Sequence, residues 1–218
     1  MRDWVDWHSG YEDPASAISV RLECVKRRLG EAIDRCPRGP VLVLSLCAGQ
    51  GHDVLGVLPG HRRRDDVTAL LVEADARNLE AGRRRAAEAG LAKVEFRQAD
   101  AGLVASFADA LPADVVMLCG IFGNVSDADI ERTVRAAPGL CSPGATVIWT
   151  RHRRPPDLTP RIRQWFAESG FAEVAFDALN TGRLVAVGTH RLDVPGSAGP
   201  AAGELFAFVE WSDTPARG

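Results

Sequence analysis

Four short segments hold residue types at spacings that could do chemistry, and each follows an apolar run. Ser45-Leu46-Cys47-Ala48-Gly49-Gln50-Gly51 comes directly after one such run. Glycines at 49 and 51 allow a tight turn and let a ligand approach the backbone closely. Glu73, with Ala74 behind it, ends the next run. A carboxylate so placed accepts hydrogen bonds from ribose hydroxyls. Asp100 and Ala101 follow a third run and are placed to meet an adenine edge. Cys119-Gly120-Ile121-Phe122-Gly123-Asn124 follows a fourth, where the reacting end of a bound ligand would lie. Asp53, just past the first loop, could offset a cationic ligand or simply cap a helix.

The elements that must position these groups can be read from periodicity and breakers. Residues 17–36 show one apolar face, Ile18, Leu22, Val25, Leu29 and Ile33, behind a Ser16 cap. Residues 41–46 are continuously apolar apart from Ser45, as in a strand buried on both faces. Further strands are expected at 67–72, 93–97, 113–118 and 145–149, the last after a Pro143-Gly144 turn. Helices are expected at 54–58, 76–89, 130–137 and 160–169, the last capped by Thr159. Residues 172–178, 184–189 and 205–209 are additional strand candidates. The spacing leaves open which of the last two completes the sheet. Alternating strands and helices with short loops imply an α/β fold: a Rossmann-like, open, mostly parallel seven-stranded sheet with helices on both faces. Ligands bind such sheets at the carboxyl ends of the strands, beside the first one.

Composition removes competing chemistries. A length of 218 residues suits a single domain, divided as an N-terminal helical lid (1–39), a core (40–170) and C-terminal strands completing the sheet (171–218). Of 26 basic residues only Lys26 and Lys93 are lysine. Both read as surface, and no Gly-Lys pair exists, so Schiff-base chemistry and a P-loop drop out. The five cysteines form no C-x-x-C pair and the histidines show no i, i+4 spacing, so no metal is expected. The polar N-terminus and the short apolar runs point to a cytoplasmic chain without a membrane span. A net charge of -3 argues against bulk nucleic-acid binding. The runs Arg62-Arg63-Arg64, Arg83-Arg84-Arg85 and Arg151 to Arg154 lack interleaved aromatics and read as solvated faces. A nicotinamide enzyme is disfavoured by Val54, where its fingerprint needs a small residue.

With these residues in place, the chain resembles the class I S-adenosylmethionine-dependent methyltransferases over residues 40–170. Within that group it looks most like actinobacterial members with the same Leu-Cys-Ala-Gly-Gln-Gly loop. The resemblance implies that the loop of Ser45, Cys47, Ala48, Gly49 and Gly51 holds the methionine moiety, with Asp53 a candidate to offset its charge in place of the usual acid. It implies that Glu73 and Ala74 hold the ribose, that Asp100 and Ala101 meet adenine, and that Cys119 and Gly120 border the sulfonium. S-adenosyl-L-methionine is then the cofactor and S-adenosyl-L-homocysteine the product. Two departures stand out: Ser45 occupies the place of the usual acid, and Cys47 the place of a glycine.

The sulfonium already activates its methyl group, so a base is needed only for a protonated nucleophile. His152 is the first candidate, with Tyr11 and His8 in the N-terminal segment, which in related enzymes folds over the cofactor. Asn124, Arg151 and Trp7 are candidates for holding the acceptor. The leading expectation is metal-independent methyl transfer to O, N or C of a small molecule, possibly in secondary metabolism. The alternatives are a cofactor-binding protein without catalysis, as sensor or partner subunit, and behind it an RNA methyltransferase. Oligomeric state is not readable.

Overall fold

The central strand β1 (Val41–Leu46) is buried at five of its six positions, which only a strand covered on both faces can be. It lies between β2 (Val67–Glu73) and β4 (Ala113–Leu118), parallel to both. The computed structural model describes residues 13, 16–180, 184–193 and 201–209. With β3 (Val94–Gln98), β5 (Cys141–His152), β6 (Phe171–Asn180) and β7 (Leu184–Leu192) the sheet has seven strands, ordered β3-β2-β1-β4-β5-β7-β6. Only β7 runs antiparallel to its neighbours. This is the expected Rossmann-like architecture of class I methyltransferases. The strand order reverses direction between β1 and β4, which opens a crevice at their carboxyl ends.

Among the described residues five α-helices cover the sheet: α1 (Ala17–Arg35), the short α2 (Val54–Val57), α3 (Ala76–Glu88), α4 (Asp127–Ala136) and α5 (Thr159–Glu168). Alternate residues of β1 feed two cores. Val41 and Val43 pack with Leu29 and Ile33 of α1 and Leu79 of α3. Leu44 and Leu46 belong to the opposite core, with Ile130 and Val134 of α4 and Phe166 of α5. Helix α1 starts where its Ser16 cap predicts, the hydroxyl accepting the Ser19 N–H at 3.2 Å. Its other end is closed by an unexpected group. The Arg63 guanidinium donates to the carbonyls of Ile33, Cys36, Pro37 and Gly39, so one member of the expected solvated Arg62–Arg64 face caps a helix instead.

Other expectations need correction. Strand β5 begins at Cys141, not Ala145, and runs through Pro143-Gly144. Ala113 pairs with Cys141 and Val115 with Thr146, so the intervening residues bulge out of the ladder and Pro143 needs no partner. Thr159 is the first residue of α5 rather than its cap; the Asp157 carboxylate accepts its N–H at 2.9 Å and its hydroxyl at 2.8 Å. Residues 205–209 form no strand. Residues 184–192 complete the sheet, and the later segment makes only isolated bridges, Leu103 with Glu204 and Val125 with Phe208. No helix among the described residues is long and apolar enough to cross a membrane.

Candidate functional site

The loops after β1 and β2 are tied together by one carboxylate. Glu73 Oε2 accepts the Gly49 N–H at 2.7 Å and Oε1 accepts the Asp75 N–H at 2.8 Å. Burial of the Glu73 carboxyl raises its pKa, against the pull of these N–H groups. The β1 loop reverses through left-handed residues: Cys47 at φ 54°, Gly49 at 57° and Gly51 at 70°. Gly51 is also required by space, since a Cβ there would lie 2.7 Å from Leu71 Cδ2. Cys47 therefore adopts the conformation that a glycine would hold without strain. Ser45 is buried in β1 at 2% exposure. Asp100 Oδ1 accepts the Gly102 N–H at 2.8 Å, a turn that presents buried Ala101 beside exposed Asp100. Ala74 is exposed at the lip.

Asp53 is buried and its Oδ1 accepts the Val54 N–H at 2.8 Å, the N-cap alternative of its two expected roles. Burial raises its pKa, opposed by that N–H and by the charges of Arg21 and Lys26. Both nearby cysteines are disfavoured as thiolates. Burial, helped by the Glu73 and Asp100 carboxylates, pushes the Cys47 thiol well up, and burial with Asp53 does the same to Cys119.

Beyond β4 the chain leaves the sheet at Gly120, φ 80°, where a Cβ would meet nothing within 4 Å. Its N–H donates to Thr150 Oγ1 at 2.8 Å, while its carbonyl accepts from Asn124 Nδ2 at 2.6 Å. Asn124 thus braces the turn, and its own carbonyl accepts the Val209 N–H at 3.0 Å. From β5, Arg151 Nη1 donates to the Phe122 carbonyl. The His152 ring lies against the same loop, 3.6 Å from where a Gly123 Cβ would stand. Burial and the charges of Arg151 and Arg154 lower the His152 pKa, so the ring is neutral above its ordinary value of 6.5. Among the described residues six buried side-chain polar atoms have no hydrogen-bond partner, and three of them are Arg151 Nε, His152 Nδ1 and Arg153 Nε.

Sequence reasoning missed one part of this edge. Residues 201–209 lie across it as a strap. The Leu205 N–H donates to the Gly102 carbonyl at 2.7 Å and the Val104 N–H to the Gly203 carbonyl at 3.0 Å. Arg132 Nε and Thr133 Oγ1 of α4 both donate to the Leu205 carbonyl. The strap therefore joins the β3 loop to the β4 loop. Its signal was the apolar pair Leu205-Phe206, both buried, set in a stretch otherwise built for turns. Trp7, His8 and Tyr11 lie outside the described residues. No group of three or more His, Cys, Asp or Glu among the described residues is placed to hold a metal ion.

No family model matches the chain, and no curated protein matches it in sequence. Solved structures do match in fold. The CurJ carbon methyltransferase is similar at a TM-score of 0.64 and 14% identity, over 88% of this chain and 59% of that one. An O-methyltransferase family protein from Burkholderia thailandensis gives 0.60 and 20%, over 78% and 56%. This chain thus spans under two thirds of both proteins. An RNA methyltransferase from Salinibacter ruber, in complex with S-adenosyl-L-homocysteine, gives 0.52 and 20% over 84% and 96%.

Proposed function

We propose that the chain is an S-adenosylmethionine-dependent methyltransferase acting, without a metal, on the O, N or C of a small-molecule acceptor. The observation that supports this most is the Glu73 carboxylate, which fastens the β1 loop to the β2 loop at the switch point, with open space beside Gly120. Each Glu73 oxygen has used one lone pair on a backbone N–H, so each retains one for a ribose hydroxyl. The left-handed turn at Gly49 and Gly51 borders the methionine moiety, and Asp100 with Ala101 borders the adenine. When bound, the cofactor supplies a methyl group already activated by its sulfonium. The residues of this chain need only orient an acceptor beyond Gly120 and exclude water. His152, neutral at physiological pH, accepts the proton of an acceptor hydroxyl or amine. Arg151 and Asn124 hold the wall on which that acceptor rests.

Calorimetric titration with S-adenosyl-L-methionine and S-adenosyl-L-homocysteine tests the reading. Saturable binding of both is expected; heat for neither at millimolar concentration would overturn it. Ser45, buried and neutral where an acid would answer the cofactor's cationic end, favours a second reading in which the cofactor binds without turnover. Transfer of a labelled methyl group to any small molecule eliminates that second reading.

A further inference from the structure

The β5 terminus buries a cation without giving it a buried counterion. Arg151 stays protonated at any accessible pH, and its side chain is only 9% exposed. Among the described residues its ion-pair partner is Asp127, whose Oδ1 lies 3.6 Å from Nη2 on a side chain that is 66% exposed, hence well screened by water, with Asp157 adding a more distant attraction. Nη1 is spent on the Phe122 carbonyl, while Nε has no hydrogen-bond partner. What remains is the side-on edge of the guanidinium, Nε with Nη2, the fork that takes both oxygens of a carboxylate.

The surroundings are also basic. Arg153 lies two residues on, its Nε 3.5 Å from Asp157 Oδ2 in an ion pair without hydrogen-bond geometry. Arg154 adds a third guanidinium to the field at His152. The groups facing His152 are therefore Arg151, Arg154, Asp127 and Asp157, and Arg153 leaves one positive charge in excess. Arg151 and His152 touch the same short loop, one at Phe122 and the other at Gly123.

We infer that the acceptor carries a carboxylate, which seats on the Nε/Nη2 edge of Arg151 and brings the atom to be methylated to the His152 side of the Phe122-Gly123 loop. The inference rests on the methyl-transfer reading for the word acceptor, while the anion site can be tested apart from it. A single carboxylate matches the single excess charge and completes the unpaired Nε–H. A neutral acceptor would leave a buried guanidinium uncompensated.

The probes are benzoate, benzamide and inorganic phosphate, added to the intact protein with and without S-adenosyl-L-homocysteine. The Arg151 Nε–H nuclear magnetic resonance signal, identified by its loss in Arg151→Lys, reports the site. Benzoate is expected to shift this signal saturably, and benzamide to leave it in place. Asp127→Asn, which removes the competing carboxylate without touching the guanidinium, is expected to tighten benzoate about fivefold. The inference is overturned if the signal does not move, if benzamide matches benzoate, or if Asp127→Asn fails to tighten binding. Tighter binding of phosphate than of benzoate overturns the assignment to a carboxylate. Calorimetry of S-adenosyl-L-homocysteine on the same sample separates the two readings. Cofactor binding without benzoate binding removes this inference alone. Benzoate binding without cofactor binding removes the methyl-transfer reading and leaves the anion site standing.

Discussion

The two halves of the carboxyl edge differ in how their polar groups are answered. Around β1, β2 and β3 the hydrogen bonds close on themselves: Glu73 takes two backbone N–H groups, Asp100 takes Gly102, and Asp53 takes Val54. Around β4 and β5 the backbone is braced by Thr150 and Asn124, yet three consecutive side chains keep buried nitrogens without hydrogen bonds. A half that is complete in itself is preorganised for one constant ligand. A half with unanswered groups is finished by whatever binds there.

The largest expected effect tests the closed half. Glu73→Ala deprives two loop N–H groups of a charged acceptor, which should cost about 4 kcal/mol in denaturant unfolding and abolish cofactor binding in calorimetry. Survival of cofactor affinity would break the comparison at its root.

A second effect sharpens what an unanswered group means. His190 of β7 is buried at 1% exposure beneath the open half, accepts the Trp149 Nε1–H at 3.2 Å, and stacks on Phe166 at 4.4 Å. Burial lowers its pKa from 6.5 to about 4, with the Glu173 carboxylate opposing. As pH falls below 6.5 the unfolded chain takes the proton first. Stability is therefore intact above that pH and is lost progressively down to about pH 4. The loss from this ring should be on the order of 3 kcal/mol and should vanish in His190→Gln, read from melting against pH.

Next comes catalysis in the open half. His152→Ala should lower turnover about a hundredfold while leaving cofactor affinity unchanged. In the parent, kcat/KM should rise with pH along an acid limb whose midpoint lies below 6.5, because burial and the flanking arginines lower the ring's pKa. The variant should lose that acid limb.

The smallest effect returns to the closed half. Cys47→Gly removes left-handed strain and should stabilise the fold by about 0.5–1 kcal/mol. Gly120→Ala, at φ 80° in the open half, should destabilise it by a similar amount although its Cβ has room.

What was legible in the sequence followed from local pattern. β1 and β4 are buried on both faces, so their apolar runs begin and end where the strands do. Ser16 marks the start of α1 because its hydroxyl bonds within the same turn. The turns proposed to hold the cofactor were readable for the same reason, since Gly49, Glu73 and Asp100 stand at the ends of successive strands. The parts that escaped depend on distant backbone. Arg63 reaches carbonyls about 25 residues away, and nothing in an Arg-rich run says which member turns inward. The Pro143-Gly144 bulge is set by the register with β4, which no local signal encodes. His152 could be named from its place beyond the expected fifth strand, which in the structure extends to include it, but the unpaired nitrogens around it appear only once Phe122 and Gly123 are packed against that strand.

The strap at residues 201–209 is held by the buried Leu205 and Phe206 and, along its main chain, by Gly102, Val104, Asn124, Arg132 and Thr133. Backbone anchors do not inspect side chains, so its outward residues, such as half-exposed Phe208, can be exchanged while its path is kept. For mutagenesis this makes the strap a cassette: libraries built on its outward positions should sample new walls for the crevice without spending the stability of the sheet beneath.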